Sequence, residues 1–339
     1  MRLIEANWIR TYSILSIVLW HCLVCPISYW NLLETSDFTQ AIKSIFYFFI
    51  PQANMPLFTC LSGYLFSHLY NLKKESYTTF KGVFVNKFKR LVIPFLTIGT
   101  IATAVVPERP LISGIIWGDG SSLWFCIMLF WLTMLRWVVL KINHSWLKVV
   151  VFLFSVIIYL LGIGLCHSLR IIPIPIGLLC IGRALHFYCF FVLGSLLYRK
   201  RAFLANKMCC TQKGIVLMIY LLIGVFSLLE IGVLSFICQK LMPVMLILVV
   251  FIASYEISKR TAGSIKLGEV ISNFCRHSFG IYVFHEAFSW NCYHTPVLQS
   301  LFRAHPLCYS VLFTIITLFL CYIATYYCLK TKLGQALLK

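Results

Sequence analysis

Apolar stretches of about 20 residues recur along the whole chain, and they constrain its fold more than any other feature. A helix of 20 residues is about 30 Å long, which matches the hydrocarbon core of a bilayer. Of the 339 residues, 60% are hydrophobic and only 12% are charged, about half the charged fraction of soluble domains. The pattern predicts an all-α, polytopic transmembrane helical bundle that forms one integral-membrane domain over residues 1–339.

We place ten spans, near residues 7–25, 41–69, 89–107, 122–142, 146–166, 184–199, 213–232, 234–256, 276–292 and 308–329. The apolar segment 171–182 is short and is interrupted by Pro173 and Pro175, which indicates a re-entrant or interfacial loop. The run 7–25 lacks a small-residue cleavage site and ends at Pro26. It is therefore predicted to be a span and not a removable signal peptide.

Basic residues divide unevenly between alternate loops. With the N-terminus inside, six of the 29 lysines and arginines face outward, namely Lys43, Arg109, Arg170, Arg183, Lys240 and Arg303. An even number of spans with both termini cytoplasmic therefore satisfies the positive-inside rule. The net charge of +19 reflects this topology, and no basic stripe with interleaved aromatics indicates a nucleic-acid partner.

The first span carries two costly residues, Arg10 and His21. Eleven residues of helix give a rotation within about 20° of three full turns, so both side chains share one face and lie about 16 Å apart along the axis. Arg10 is predicted near the cytoplasmic boundary and His21 in the outer half. In one interpretation His21 bonds a neighbouring helix and Arg10 reaches the lipid headgroups. In the other, both line a polar cavity.

The 15 cysteines lie mostly in apolar runs, where free cysteine acts as a small hydrophobic residue. Cys22 and Cys25 form the only C-x-x-C, with no following histidine and no second pair. The sequence therefore predicts no metal site. It also contains no H-E-x-x-H, P-loop or G-x-S-x-G motif.

The ten-residue spacing between Arg10 and His21 resembles the first motif of the acyltransferase-3 family of integral-membrane acyltransferases. Five later segments are similar to that family in the same order: NMPLFTCLSGYLF (54–66), KFKRLVIPF (87–95), SLWFCIMLF (122–130), FYCFFVLGSLLYRKR (187–201) and SFGIYVFHEAF (278–288). Each string alone is weak, but the six together extend over residues 10–288. Members of the family transfer acyl groups, commonly acetyl from acetyl-CoA, to sugars of surface polysaccharides and related acceptors.

Two positions depart from the family pattern. Family members usually carry an acidic residue where this chain has Asn7, which puts in doubt an ion pair holding Arg10. The basic stretch often has an arginine where this chain has Lys87. Lysine keeps the charge but lacks the bidentate fork that suits phosphate.

The resemblance implies a role for each candidate residue. His21 would be the general base that takes the acceptor's hydroxyl proton, either in direct transfer or beside a covalent acyl-histidine step. Arg10 would act on the donor side, where it binds phosphate, polarises the thioester or orients a neighbour. Lys87, Lys89 and Arg90 would hold the phosphates of acetyl-CoA or another acyl-CoA, although ordinary topology charge explains them equally well.

Five more residues are candidates for contacting substrate or lining the cavity: Tyr282, His285, Glu286, Ser62 and Trp124. Neighbours on a helix point about 100° apart, so His285 and Glu286 do not form a dyad by themselves. Packing explains Tyr282 and His285 as well as catalysis does, and small or aromatic residues such as Ser62 and Trp124 usually pack.

The sequence thus predicts a multi-pass O-acyltransferase of the bacterial cytoplasmic (inner) membrane. Its partners would be acyl-CoA, a glycan or lipid-linked glycan acceptor, and membrane lipid. Two other functions are a polysaccharide or lipid-linked sugar exporter and a structural partner of a glycan synthase. An exporter should show internally repeated halves, and the chain contains no second copy of the Arg10–His21 spacing. A structural partner would tolerate loss of Arg10 and His21.

Overall fold

The computed structural model describes residues 3–23, 54–72, 75–101, 123–162, 178–229, 231–261, 265–293 and 295–338. Throughout these ranges the regular secondary structure is helical, with no strand, as predicted. The helices are α1 (Ile4–Leu23), α2 (Asn54–Asn71), α3 (Glu75–Thr78), α4 (Phe80–Lys87), α5 (Trp124–Lys141), α6 (Ser145–Leu161), α7 (Ile181–Arg199), α8 (Cys210–Leu228), α9 (Gly232–Thr261), α10 (Ile265–Tyr293), α11 (Pro296–Ala304), α12 (Pro306–Cys328) and α13 (Lys332–Leu338). Three π-helical turns (Phe88–Val92, Phe95–Gly99 and Phe203–Lys207) and a 3-10 turn (Leu178–Cys180) accompany them.

Five of the described helices are long and apolar enough to cross a bilayer: α5, α7, α8, α9 and Cys308–Cys328 within α12. α6 is apolar but shorter. The chain is therefore a helical membrane protein. The predicted count of ten spans stays a prediction, because residues 24–53, 102–122 and 163–177 lie outside the described residues. These gaps include the first part of the span 41–69, the end of the span 89–107, Cys25, Pro173 and Pro175.

Local chemistry explains where several helices begin and end. The hydroxyl of Thr79 accepts a hydrogen bond from the backbone N–H of Gly82 (3.1 Å) and caps α4. α6 ends at Gly162, whose φ of +84° suits a residue without a Cβ. α11 begins with Pro296 at its first position, where the missing N–H costs no hydrogen bond.

The chain divides into two compact units, and the first contains Met1–Phe58 and Ala202–Gln335. In this unit α1 packs against α9, α10 and α12, and α8 packs against α9. α1 and α10 run parallel, because Asn7 contacts Cys275 near their starts and Cys22 contacts Tyr293 near their ends. α8 and α9 form an antiparallel pair, closed at one end by an ion pair between Lys213 and Glu256 (2.8 Å).

The second unit contains Thr59–Arg201 and Ala336–Lys339. α7 packs here against α5 and α6. The hydroxyl of Ser155 on α6 donates to the carbonyl of Leu185 (2.7 Å) and accepts from the N–H of Cys189 (2.8 Å), both on α7. These bonds join a side chain of α6 to the backbone of α7, which stabilises packing where lipid cannot supply hydrogen bonds. That both units act as the single domain of residues 1–339 stays a prediction.

Candidate active site

The structure places Arg10 and His21 on the side of α1 that packs against α10. The charge of Arg10 interacts with the thiol of Cys275 on α10. Eleven residues further along α1, the ring of His21 lies beside the ring of His285 on the same helix. The shared face expected from helical periodicity is therefore the face that meets α10.

Short-range hydrogen bonds hold the Arg10 end of α1 on α10. The thiol of Cys275 donates to the carbonyl of Asn7 (3.1 Å) and lies 3.5 Å from the hydroxyl of Thr11. Asn7 is the residue that departs from the family's acidic position, and here its backbone makes the interhelical contact. No sequence pattern singles out Cys275, because a cysteine in an apolar run is ordinary in a membrane helix.

The His21 end of α1 is held by two other helices. The hydroxyl of Tyr293 on α10 donates to the carbonyl of Cys22, one of the last carbonyls of α1 that lack a partner within the helix. The Cys22 thiol donates to the hydroxyl of Thr317 on α12 at 3.7 Å. These contacts fix the backbone on the C-terminal side of His21.

His285 is completely buried, and one of its ring nitrogens is assigned by geometry. Its Nδ1 lies 2.6 Å from the carbonyl oxygen of Tyr282. A carbonyl can only accept, so Nδ1 carries the proton and neutral His285 keeps a lone pair on Nε2. The His285 and His21 ring centroids are 4.8 Å apart with an interplanar angle of 82°. Two imidazoles thus meet edge to face at the end of α1.

Tyr282 and Glu286 complete this group of the first unit. Tyr282 is 4% exposed, and its ring centroid lies 5.7 Å from that of His285 and 6.3 Å from that of Phe58. The carboxylate of Glu286 interacts electrostatically with His285. Four of the predicted residues therefore lie together: His21, Tyr282, His285 and Glu286.

The basic candidates belong to the second unit, where they lie at the start of the predicted third span (89–107). The Nζ of Lys87 lies 5.5 Å from the centroid of the buried Tyr77 ring, and Arg90 acts electrostatically on both residues. Burial and the neighbouring Arg90 guanidinium lower the pKa of Lys87 to about 7. Lys89 is exposed in the same π-helical turn as Arg90. Lys87 and Arg90 form a compact cationic pair beside an aromatic ring.

Ser62 and Trp124 also lie in the second unit. Ser62 precedes Gly63, at the point where α2 crosses α7 closely. The Trp124 ring carries the Arg183 guanidinium at 4.6 Å from its centroid, and the Phe187 ring lies 6.4 Å away. The sequence predicts Arg183 only as an outward-facing charge. The predicted topology contains a signal for this contact. It places Trp124 and Arg183 both at outer helix ends, and few basic residues lie on that side to pair with an aromatic ring.

A largely apolar groove of about 610 Å³ lies between α10 and α12 in the first unit. Its lining residues are Phe284, Ala287, Phe288, Cys292, Thr295, Leu320, Cys321 and Ala324. This lining suits hydrocarbon better than a sugar, which needs several hydrogen-bonding groups. Among the residues that line it, none of the candidates His21, Tyr282, His285 and Glu286 is present.

The fold and the site define a helical membrane protein in which a half-buried histidine, eleven residues after an arginine on the same helix, meets a fully buried histidine. The family model of the acyltransferase domain, acyltransferase-3, matches residues 3–326. The chain therefore belongs to the acyltransferase-3 family. Neither a curated protein nor a solved structure matches it significantly.

Proposed function

We propose that the protein is an O-acyltransferase that moves an acyl group, acetyl above all, from acyl-CoA to a hydroxyl of a cell-surface polysaccharide or its lipid-linked precursor. Family membership establishes the acyltransferase class. The donor, the acceptor and the acyl chain are the proposal.

The observation that carries the proposal is the meeting of His21 with His285. Acyl transfer to a hydroxyl needs a base that is neutral before the reaction and takes a proton during it. A half-buried imidazole beside a second, neutral imidazole suits that role.

In the proposed reaction, the acceptor oxygen attacks the thioester carbonyl while His21 takes the hydroxyl proton. The new C–O bond forms, the C–S bond breaks, and the proton passes from His21 to the departing CoA thiolate. Arg10 stabilises negative charge on the donor side of α1. Lys87 and Arg90, with Lys89 beside them, bind the CoA phosphates.

We infer ten spans with both termini in the cytoplasm of a bacterial inner membrane. The loop charges support this topology. The helix directions of the first unit also support it. Because α1 and α10 run parallel, the chain must cross the membrane an even number of times between the start of α1 and the start of α10. Under this topology Arg10 faces the compartment that makes acyl-CoA, and His21 lies toward the opposite side.

The test is transfer of label from [14C]acetyl-CoA by protein purified into lipid nanodiscs, which leave both membrane faces accessible. The acceptor is glycan extracted from cells that lack the protein. We expect label in the glycan that hydroxylamine releases, as an ester requires, and none with His21→Ala at equal amounts of monodisperse protein. Unlabelled glycan with the unchanged protein, or full labelling with His21→Ala, would overturn the proposal.

A further inference from the structure

In neutral His285, Nε2 carries a lone pair that can accept a hydrogen bond. Its Nε2 is buried and has no hydrogen-bond partner among the residues that the structure describes. An unsatisfied buried polar atom costs about 1–3 kcal/mol. Nε2 of His285 is such an atom, and it lies next to His21, the proposed base. We therefore infer that a hydrogen-bond donor reaches Nε2 during the reaction cycle.

The neighbouring ring identifies that donor. The His21 ring lies edge to face with His285, at 4.8 Å between centroids. When His21 takes a proton it becomes an imidazolium with two N–H donors and no acceptor. One N–H faces the group that delivered the proton, and the buried Nε2 of His285 offers the other an acceptor inside an apolar bundle. Rotation about the soft Cβ–Cγ torsion of His21 turns a ring edge toward Nε2.

We propose that Nε2 of His285 accepts a hydrogen bond from the His21 imidazolium during acyl transfer, which makes His285 a positioning residue. This inference rests on the proposed function. The proton itself goes from the acceptor hydroxyl to His21 and then to the CoA thiolate. His285 stays neutral throughout, with its Nδ1–H on the Tyr282 carbonyl, which holds Nε2 in place.

The bond gains strength only when His21 is charged, because charge-assisted hydrogen bonds are about twice as strong as neutral ones. An interaction that strengthens as the transition state forms raises kcat and leaves KM unchanged. A merely structural His285 would instead affect folding, or binding and rate together.

Two substitutions separate the two ends of the ring. His285→Asn keeps an N–H for the Tyr282 carbonyl but has no acceptor at the position of Nε2. His285→Gln places an amide oxygen near that position. The matched control is His277→Asn on the same helix. His277 is also buried (5% exposed), and its Nδ1 lies 2.8 Å from the Asn273 carbonyl. Its ring, however, packs on Tyr322 and not on a histidine.

In the nanodisc assay with [14C]acetyl-CoA, we expect His285→Asn to lower kcat about 10- to 100-fold with KM unchanged for both acetyl-CoA and glycan. His285→Gln should recover at least about fivefold of that loss, and His277→Asn should stay within about twofold of the unchanged protein. If the Asn variant does not accumulate in membranes, the comparison is His285→Gln against His285→Leu, which has no acceptor.

Three outcomes would overturn the inference: full activity of His285→Asn, a loss that appears in KM instead of kcat, or an equal loss in His277→Asn. The proposed function fails differently. If the unchanged protein transfers no label, the function is wrong. If it transfers label, His21→Ala does not, and His285→Asn does, only the role of His285 is wrong.

Discussion

The two buried histidines of α10 share a local hydrogen bond and differ in their neighbours. In both, Nδ1 lies within hydrogen-bonding distance of a carbonyl three or four residues earlier on the helix. His277 packs on Tyr322, whereas His285 meets His21. At the scale of residues, the adjacent helix decides which side chain such a histidine meets.

Lys87 is a second residue whose surroundings determine its charge. Its pKa, lowered to about 7 by burial and by Arg90, means that it loses its proton as the pH rises through about 7. Phosphate binding should weaken accordingly, so we expect KM for acetyl-CoA to rise at least about threefold from about pH 6 to about pH 8.5. Initial rates across that range measure it.

Lys87→Arg provides the comparison, because a guanidinium stays protonated throughout and offers phosphate a bidentate fork. This variant should show a low KM with no rise. Lys89→Arg, at the exposed position in the same turn, should keep the rise of the unchanged protein. An identical pH dependence in Lys87→Arg would show that Lys87 does not contact the donor.

Some of the residue contacts follow from sequence and others do not. Arg10 and His21 share a face because both lie on one helix, and helical periodicity alone relates them. The meeting of His21 with His285 depends on how α1 and α10 pack, which no local pattern encodes. The family resemblance singled out His285, but Cys275 and Tyr293 carried no comparable signal.

At the scale of elements, two glycines allow α2 and α7 to touch backbone to backbone. A Cβ on Gly63 would lie 1.9 Å from the carbonyl oxygen of Phe191, and one on Gly194 would lie 1.8 Å from that of Cys60. The hydroxyl of Ser195 also lies 3.4 Å from the Gly63 carbonyl. Small residues at such crossings are what lets membrane helices pack closely.

We therefore expect Gly63→Ala and Gly194→Ala each to destabilise the protein by about 1–3 kcal/mol or more, because the two helices must separate. Gly214→Ala is the matched control, since nothing lies within 4 Å of its Cβ position on α8. It should be neutral or stabilising by up to about 1 kcal/mol. Melting of detergent-solubilised protein, followed by size exclusion, measures all three. Equal melting temperatures for Gly63→Ala and Gly214→Ala would contradict the close crossing.

The ends of a helix were predictable where the apolar segment ends at the same residues as the helix. α5 (Trp124–Lys141) lies within the predicted span 122–142, and α12 (Pro306–Cys328) is close to 308–329. α10 is different, because it begins at Ile265, well before the predicted start at 276. Its first turns contain Lys266 and Glu269, which are exposed. Helical hydrogen bonds continue into water, so hydropathy marks the span and not the helix.

At the scale of the whole molecule, topology determines which residues meet the cytoplasm. Three exposed cysteines of the first unit allow a direct test of this topology. Cys209 and Cys210 lie at the start of α8, and Cys308 lies near the start of α12. The proposed ten spans put the first two inside and the third outside.

A membrane-impermeant maleimide added to spheroplasts of producing cells should therefore modify Cys308 and spare Cys209 and Cys210. All three should react after the membrane is disrupted. Mass spectrometry of the digested protein identifies the modified cysteines. Modification of Cys209 or Cys210 in intact spheroplasts, or protection of Cys308 there, would contradict the topology.

Overall class was predictable because apolar length and loop charge are properties of the chain itself. The division into two units was not, since it depends on contacts between distant segments such as α1 and α10. The acyltransferase class comes from the family to which the chain belongs. The pair of imidazoles comes from the packing of α1 against α10.

The O-acyl content of surface polysaccharide, measured by NMR, tests directly whether this protein acylates the glycan. Three strains are compared: one with the intact protein, one with the gene deleted, and one producing His21→Ala at the same membrane level. We expect ester-linked acyl signals in the first strain and their absence from the other two. Equal acyl content in all three would contradict acyl transfer to the glycan, and loss in the deletion strain alone would contradict His21 as the base.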